Sequence, residues 1–470
     1  MYYICIDFYN TYYIMLLERG YKIMKKSKLT IVGGGSTYTL GILMSLIEES
    51  NHLPLSHITL YDTDTSRQEK IGRAASILLK EHYPSLENFK YTSNKKEAFK
   101  DTDIIFVQIR TGGLTMREKD EQIPIKHGLV GQETCGAGGM AYGLRSIPDM
   151  IQLVDDIRSL NSDAWILNYT NPAAIVGLAL DKIFPDDKRL LNICDMPIAI
   201  MKSYSDILEE DIWNLEADYF GLNHFGWFTS IRNKQGYDYT SQLKQLILDN
   251  DFKPTDKLIA NDPSWQATFK QAKQMIQDFN EYLPNTYLQY YLYPNELSKK
   301  EPMDNTRARQ VINGREKEVF TDCDVIINQN STQNIDISGD IHGIYMIRIA
   351  ASLVHHLKER FIIMTRNEGI ISNLPYDALV EVPALLGNEG VEPFKIGEIS
   401  TFYKGLLENQ YAYEKLIIEA YFDNDYEKLL QALILNRTVI DTNKAKEVLK
   451  DLFEANKDHW PVLNKREETL

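Results

Sequence analysis

The chain has 470 residues, 44% of them hydrophobic and 25% charged, so it can bury a large core and divide into two or three domains. Its formal net charge of −15 argues against nucleic acid and anionic membrane surfaces as partners, since both select basic faces. The cysteines, Cys5, Cys135, Cys194 and Cys323, are widely spaced and form no CxxC pair, which points to a reducing, cytoplasmic setting and not to a disulfide framework.

Residues 1–23 are rich in aromatic side chains but broken by Asp7, Asn10 and Thr11. They carry no basic n-region and no small-residue cleavage site, and they are too short and polar for a membrane span. With Met24 opening "MKKSKLT", they read as an extension ahead of the natural start. A β-branched run then ends in Gly33, Gly34 and Gly35, and residues 36–50 place Leu40, Leu43, Leu46 and Ile47 at helical spacing. Residues 57–62 form a second short apolar run, closed by Asp62, with a helical pattern near 65–83. Runs at 103–109, 164–170 and 189–194 repeat the theme. Strands alternating with helices predict a parallel sheet covered on both faces, an α/β domain over residues 24–196. Beyond Pro197 the pattern changes. Strand-like pieces at 216–231, a variable stretch at 235–285 and helical patterns at 341–359 and 403–455 predict an α+β second domain over 197–470. No Pro/Gly/Ser-rich spacer separates the two, so they should pack closely.

A glycine loop between a strand and a helix lets a pyrophosphate approach the backbone at a helix N-terminus. Gly33, Gly34, Gly35, Ser36 and Thr37 supply such a loop, and Asp62 stands where an acid accepts from a ribose diol, favouring NAD over NADP. The match is imperfect, because Tyr38 occupies the position of the third glycine. Further polar groups lie at strand ends or among glycines: Arg110 and Arg117, Glu133, Asn168 and Asn171, the pair Cys194–Asp195, and Asn223 with His224. Taken singly, each has a bland reading: a core cysteine, a turn aspartate, a satisfied histidine.

Together, "GQETCGAGG", "NYTNPAA", "CDMP", "GLNHFGW" and "PNTYLQYYLYP", following the glycine loop in this order, resemble the NAD- and metal-dependent glycosidases of glycoside hydrolase family 4. The resemblance runs from about residue 27 to near residue 460, and "CDMP" resembles the branch acting on 6-phosphorylated α-glucosides. It implies a dinucleotide domain like that of lactate and malate dehydrogenases, a homodimer or homotetramer, and a phosphorylated disaccharide or glucoside as substrate. It further implies Cys194 and His224 as ligands of Mn²⁺ or another divalent metal, Asp195 as general acid, Tyr287 as base and Glu133 as an aid to its basicity. Arg117, Asn171 and Arg307 become substrate contacts. Tyr290 and Tyr291 lie close to Tyr287, so the register of the base stays open here.

The family chemistry is redox activation: NAD⁺ oxidises C3 of the sugar, the C2 proton becomes acidic, the aglycone is eliminated from C1, water adds, and the hydride returns. A thiol beside a carboxylate then has a reason, because the acid sits next to the metal and the bond being cleaved. Two other readings use the same residues. One is a 6-phospho-β-glucosidase of the same family, since elimination tolerates either anomer. The other is a 2-hydroxy-acid dehydrogenase, which leaves the Cys–His pair and the tyrosines without work. An NAD-sensing protein without activity would leave Cys194, Asp195, His224 and Tyr287 all idle.

Overall fold

The computed structural model describes residues 24–249, 263–439 and 441–464, so the expected N-terminal extension over 1–23 lies outside the described residues. The first half forms a six-stranded parallel sheet in the order β3-β2-β1-β4-β5-β6. Its strands are β1 (Ser27–Val32), β2 (Leu55–Tyr61), β3 (Asn88–Thr92), β4 (Ile104–Val107), β5 (Trp165–Asn168) and β6 (Leu190–Asn192). This order is that of the doubly wound dinucleotide fold, with its crevice where β1 and β4 part in opposite directions. Strand β3 is absent from the sequence reading. Its segment "NFKYT" is half-exposed at the sheet edge and shows no apolar run to betray it.

Helices α1 (Thr39–Glu48), α2 (Thr65–His82), α3 (Lys95–Phe99), α4 (Gly113–Lys126), α5 (Gly136–Leu160) and α6 (Ala173–Ile183) flank the sheet. The side chain of Asp64 caps α2 by accepting from Ser66 N and Arg67 N, each at 3.1 Å. Helix α7 (Met196–Leu208) begins directly after Cys194–Asp195 and carries the chain into the second half.

There, a second, antiparallel sheet runs β10-β11-β7-β8-β9, with β12 on the far edge of β11. Its strands are β7 (Leu215–Leu222), β8 (Phe225–Asn233), β9 (Leu283–Pro284), β10 (Glu359–Arg366), β11 (Leu379–Gly387) and β12 (Gly390–Pro393). The helical pattern expected over 341–359 stops at His355, and β10 follows at once. The remaining helices are α8 (Thr240–Asp249), α9 (Pro263–Asp278), α10 (Leu288–Leu292), α11 (Pro294–Leu297), α12 (Arg307–Val311), α13 (Lys317–Gln329), α14 (Ile341–His355), α15 (Thr401–Asp423), α16 (Tyr426–Leu435) and α17 (Thr442–Ala455). One turn of π-helix, Ile312–Glu316, joins α12 to α13.

The two halves share one apolar core. Leu40, Leu43 and Leu46 of α1 belong to the same buried cluster as Tyr345, Ile347 and Ile349 of α14 and Tyr219 and Phe228 of the second sheet. The C-terminal helices turn back and bury Ile417, Leu449 and Leu452 against Met140, Leu144 and Ile147 of α5. Among the described residues, no helix is long and apolar enough to cross a membrane.

Candidate active site

The glycine loop lies at the crevice. Gly33 has φ +82°, and a Cβ there would come within 2.5 Å of the Gln108 carbonyl oxygen at the end of β4. Gly34 has no more room, since a Cβ would sit 2.7 Å from that of Leu60. The amides of Gly33 and Gly34 both donate to the Tyr61 carbonyl at 2.9 Å, while Gly35 N donates to Asp62 Oδ2 at 2.8 Å. Asp64 N donates to Asp62 Oδ1 at 2.9 Å. Asp62 therefore braces the glycine loop through Oδ2 and its own turn through Oδ1, and each oxygen keeps a further lone pair for a diol. Ser36 and Thr37 form the turn that follows, and Ser36 Oγ accepts from Tyr38 N at 3.2 Å. Helix α1 starts at Thr39, three residues later than the apolar spacing indicates. Small loop, helix start and acid fit a dinucleotide.

Past β6, the chain reaches Cys194. Its Sγ lies 3.3 Å from Nε2 of His224, and both residues are buried. His224 stands in the tight turn between β7 and β8, at φ +59°. That turn is squeezed: a Cβ on Gly221 would meet Gly226 Cα at 2.3 Å. On the other side of the ring, Nδ1 is 3.3 Å from Thr134 Oγ1, so a proton on Nδ1 can be donated to the hydroxyl and Nε2 presents its lone pair toward the sulfur. Burial pushes the His224 imidazole down to about 4 against the opposing pull of Asp195 and Glu133, so the ring is neutral. Burial pushes the Cys194 thiol up, helped by the charges of Glu381 and Asp195. A neutral imidazole and a sulfur converging on one point suit a divalent cation, whose charge would favour the thiolate. Among the described residues no third His, Cys, Asp or Glu completes a metal cluster, so a cation held here would have positions open to substrate oxygens or water.

The three tyrosines of this segment take different places. Tyr287 stacks on His224 with centroids 4.1 Å apart and planes 27° off parallel. Tyr290 meets Tyr287 edge-on, and Tyr291 is buried under Phe225 in the core. Burial, then the neighbouring Tyr290, Cys135, Glu133 and Cys194, all push the Tyr287 phenol well above its ordinary range.

Asp195 is the N-cap of α7, yet its carboxylate makes no capping hydrogen bond. A capping side chain bonds the second or third amide of its helix, and here the second position is Pro197, which has none. The carboxylate instead forms an ion pair, Oδ2 to Nδ1 of His342, at 2.9 Å. Burial raises the Asp195 pKa, but His342 outweighs it and holds the carboxyl below its ordinary range. Burial likewise depresses His342, and Asp195 overrides it to about 10.

Glu133 lies between two guanidiniums. Arg110 pairs with Oε2, and Arg117 Nη1 lies 3.1 Å from Oε1. Although burial raises the Glu133 pKa, the two arginines keep it ionised and low. Arg117 is itself buried, and its Nε donates to Glu121 Oε1 at 2.7 Å. The second oxygen of Glu121 accepts from Ala308 N at 2.7 Å, which fixes the start of α12 and with it Arg307. Asn171 lies half-buried in the loop between β5 and α6, at the same carboxyl edge of the parallel sheet.

The structure thus brings Cys194, His224, Tyr287 and Asp195 together and links Glu133, Arg117 and the start of α12. Sequence reasoning passed over Thr134, Glu121 and His342. Thr134 lies inside the glycine-rich motif beside Glu133 and could have been suspected. His342 is a single polar residue at a helix start with no signal of its own.

Family models bear on the same residues. The model of Family 4 glycosyl hydrolase matches residues 28–210, and that of its C-terminal domain matches residues 219–439. A phospho-alpha-glucosidase of Clostridium acetobutylicum is 49% identical over 94% of this chain and 100% of its own. A maltose-6'-phosphate glucosidase of Bacillus subtilis is 42% identical over 94% and 98%. A 6-phospho-beta-glucosidase of Thermotoga maritima is more distant, at 28% over 92% and 99%. The crystal structure of a 6-phospho-alpha-glucosidase from gut microorganisms in complex with NAD and Mn²⁺ superposes with a TM-score of 0.91, at 46% identity over 94% of this chain and 100% of that one. A lactate dehydrogenase from a deep-sea metagenome shares the fold alone, at 12% identity and a TM-score of 0.50 over 84% of this chain and 99% of that one.

Proposed function

Since the chain belongs to glycoside hydrolase family 4, we propose that it is a cytoplasmic enzyme hydrolysing 6-phospho-α-glucosides such as maltose 6′-phosphate, with release of glucose 6-phosphate. The observation that carries this reading is the 3.3 Å approach of Cys194 to His224 under the Tyr287 ring, beside a glycine loop. A glycosidase working with two carboxylates alone needs neither feature.

When bound, NAD supplies an acceptor and later a donor of hydride for C3 of the sugar, and Mn²⁺ supplies positive charge at the C2 and C3 oxygens. Gly33, Gly34, Gly35, Ser36 and Thr37 would cradle the NAD phosphates, with Asp62 at the ribose. Cys194 and His224 would hold the metal. With C3 at the ketone level, the C2 proton is acidic, and Tyr287 would remove it as phenolate, a form that needs the positive charge of the bound metal because burial holds the free phenol protonated. The negative charge of Glu133 makes Tyr287 the stronger base. As the C1–O bond breaks, Asp195 gives the departing oxygen a proton that its carboxyl, ionised at rest, first takes up from solvent. Water then adds its oxygen to C1, Asp195 takes a proton from it, and Tyr287 returns one to C2. Only water is consumed overall.

Arg307 is the first candidate for the 6-phosphate, whose oxygens suit a guanidinium fork, and Asn171 and Arg117 would serve sugar hydroxyls. Arg117 also serves the Glu121–Glu133 network, so its removal should disturb both. A homodimer or homotetramer belongs to the same reading and rests on family membership; light scattering would measure it.

The test is to offer p-nitrophenyl α- and β-glucoside 6-phosphates with and without NAD⁺ and Mn²⁺. The expected outcome is turnover of the α-anomer that needs both additions, without accumulation of NADH, and slowed by deuterium at C2 or C3. Full activity in protein stripped of nucleotide and metal, or preference for the β-anomer, would overturn it.

A further inference from the structure

The ion pair between Asp195 and His342 joins the two halves of the chain at the edge of the site, and no part of the reaction as written uses His342. Resting on the reading of Asp195 as general acid, we propose that His342 is the positioning residue for that acid, holding its carboxyl toward the leaving-group oxygen.

Three observations carry this. First, Asp195 occupies a capping position without capping: Pro197 removes one of the amides it would bond, and the carboxylate turns to Nδ1 of His342 at 2.9 Å. A carboxylate freed from its helix has several rotamers, and a single partner at this distance selects one. Second, the pair is neither sealed in the core nor laid out on the surface. The Asp195 side chain is 39% exposed and that of His342 24%, so the carboxyl beside Cys194 remains accessible. The Asp340 carboxylate that caps the same helix also acts on His342. Third, α14 is anchored without His342. Asp340 Oδ1 caps Gly343 N at 2.7 Å, Asp340 N donates to Ser45 Oγ at 3.2 Å, and Arg348 Nε lies 3.2 Å from Glu49. A cation in the first turn of a helix is otherwise disfavoured by the helix dipole. Its presence is explained by the carboxylate opposite.

The experiment compares His342→Ala, His342→Asn, Asp195→Asn and the double variant Asp195→Asn/His342→Ala, with NAD⁺ and Mn²⁺ saturating. Asparagine places an amide nitrogen near the position of Nδ1, so it can restore the contact. Rates are taken on maltose 6′-phosphate, whose sugar leaving group needs a proton, and on p-nitrophenyl α-glucoside 6-phosphate, whose leaving group hardly does. Thermal melts accompany each variant. The expected result for His342→Ala is a loss of about 10- to 100-fold on the disaccharide, the scale of a misplaced catalytic group, with a much smaller loss on the aryl substrate. His342→Asn should recover most of it, and the double variant should be no slower than Asp195→Asn alone. Equal losses on both substrates, or a double variant slower by the product of the single losses, would overturn the proposal. Should Asp195→Asn itself show no leaving-group selectivity, the assignment of the acid falls and the proposal falls with it. Should Asp195→Asn be selective and His342→Ala not, the proposal alone falls.

Discussion

Cys194 and His224 lie thirty residues apart, one after a parallel strand and the other in a hairpin turn, and their side chains meet at 3.3 Å. Replacing Cys194 by Ser leaves a hydroxyl that is a poor anionic ligand at neutral pH, and replacing His224 by Ala removes the imidazole. In wild type, adding Mn²⁺ should raise the melting temperature, because a ligand of the folded state adds about 2.7 kcal/mol at a hundred times its dissociation constant. Both variants should keep their circular dichroism spectrum and lose that shift together with activity. An unchanged Mn²⁺ shift in either would remove the residue from the metal site. The same scale governs the cofactor loop. Gly33→Ala forces a side chain against the Gln108 carbonyl at a backbone angle that L-residues rarely take. Strain of this kind is worth about 1–3 kcal/mol, so NAD affinity measured by calorimetry should fall by about 5- to 150-fold.

Helix α5 buries a guanidinium at its centre. Arg145, fully buried in its middle, donates through Nε to the Thr111 carbonyl at 3.0 Å and pairs with Asp120 of α4. Its Nη1 also reaches Asn456, just past α17. One guanidinium thus ties together two helices of the first half, the loop next to Arg110 and the C-terminal end of the chain. Burial lifts the Asp120 carboxyl to about 6 even against Arg145, a sign of how much desolvation the pair carries. Removing one partner of such a pair leaves a buried charge uncompensated, which costs about 3–5 kcal/mol. Asp120→Asn should therefore lower the unfolding free energy obtained from urea titration by that amount, and loosening of Arg110 beside Glu133 should reduce activity even where the variant is folded.

For the molecule as a whole, the buried acids set the response to pH. Glu414 on α15 is buried, with Gln410 Nε2 donating to it at 2.8 Å, and burial raises its pKa to about 8. Since the folded value lies above the unfolded one of about 4.3, the folded state holds this proton longer. Its contribution to stability is complete below about pH 4 and is lost as pH rises toward 8. Glu414→Gln keeps the shape and cannot ionise. Wild type and variant should melt at similar temperatures near pH 4.5, and the variant should gain steadily up to pH 8, by on the order of a few kcal/mol. A difference independent of pH would show that Glu414 holds no extra proton in the fold.

Much was readable from the chain alone, for a physical reason: chemistry written in contiguous residues survives without a structure. Short apolar runs between helical patterns specify a parallel sheet, because strands buried on both faces are predominantly apolar, as β4 is throughout and β5 is up to Asn168. The glycine loop, the Cys194–Asp195 pair and the Asn223–His224 turn are likewise local signals. Tertiary structure decided what depends on distance in space. Edge strand β3 pairs with β2 across the whole of α2 and shows no apolar run, and β11 joins the second sheet through β7, more than 150 residues earlier. That Tyr287 and not Tyr290 or Tyr291 stacks on His224 follows from where α10 begins, which repeated tyrosines cannot reveal. That Asp195 meets His342, across 147 positions, follows only from α14 docking on α1 and α7, since burial and pairing of polar groups are properties of the assembled core and leave no periodicity in the chain.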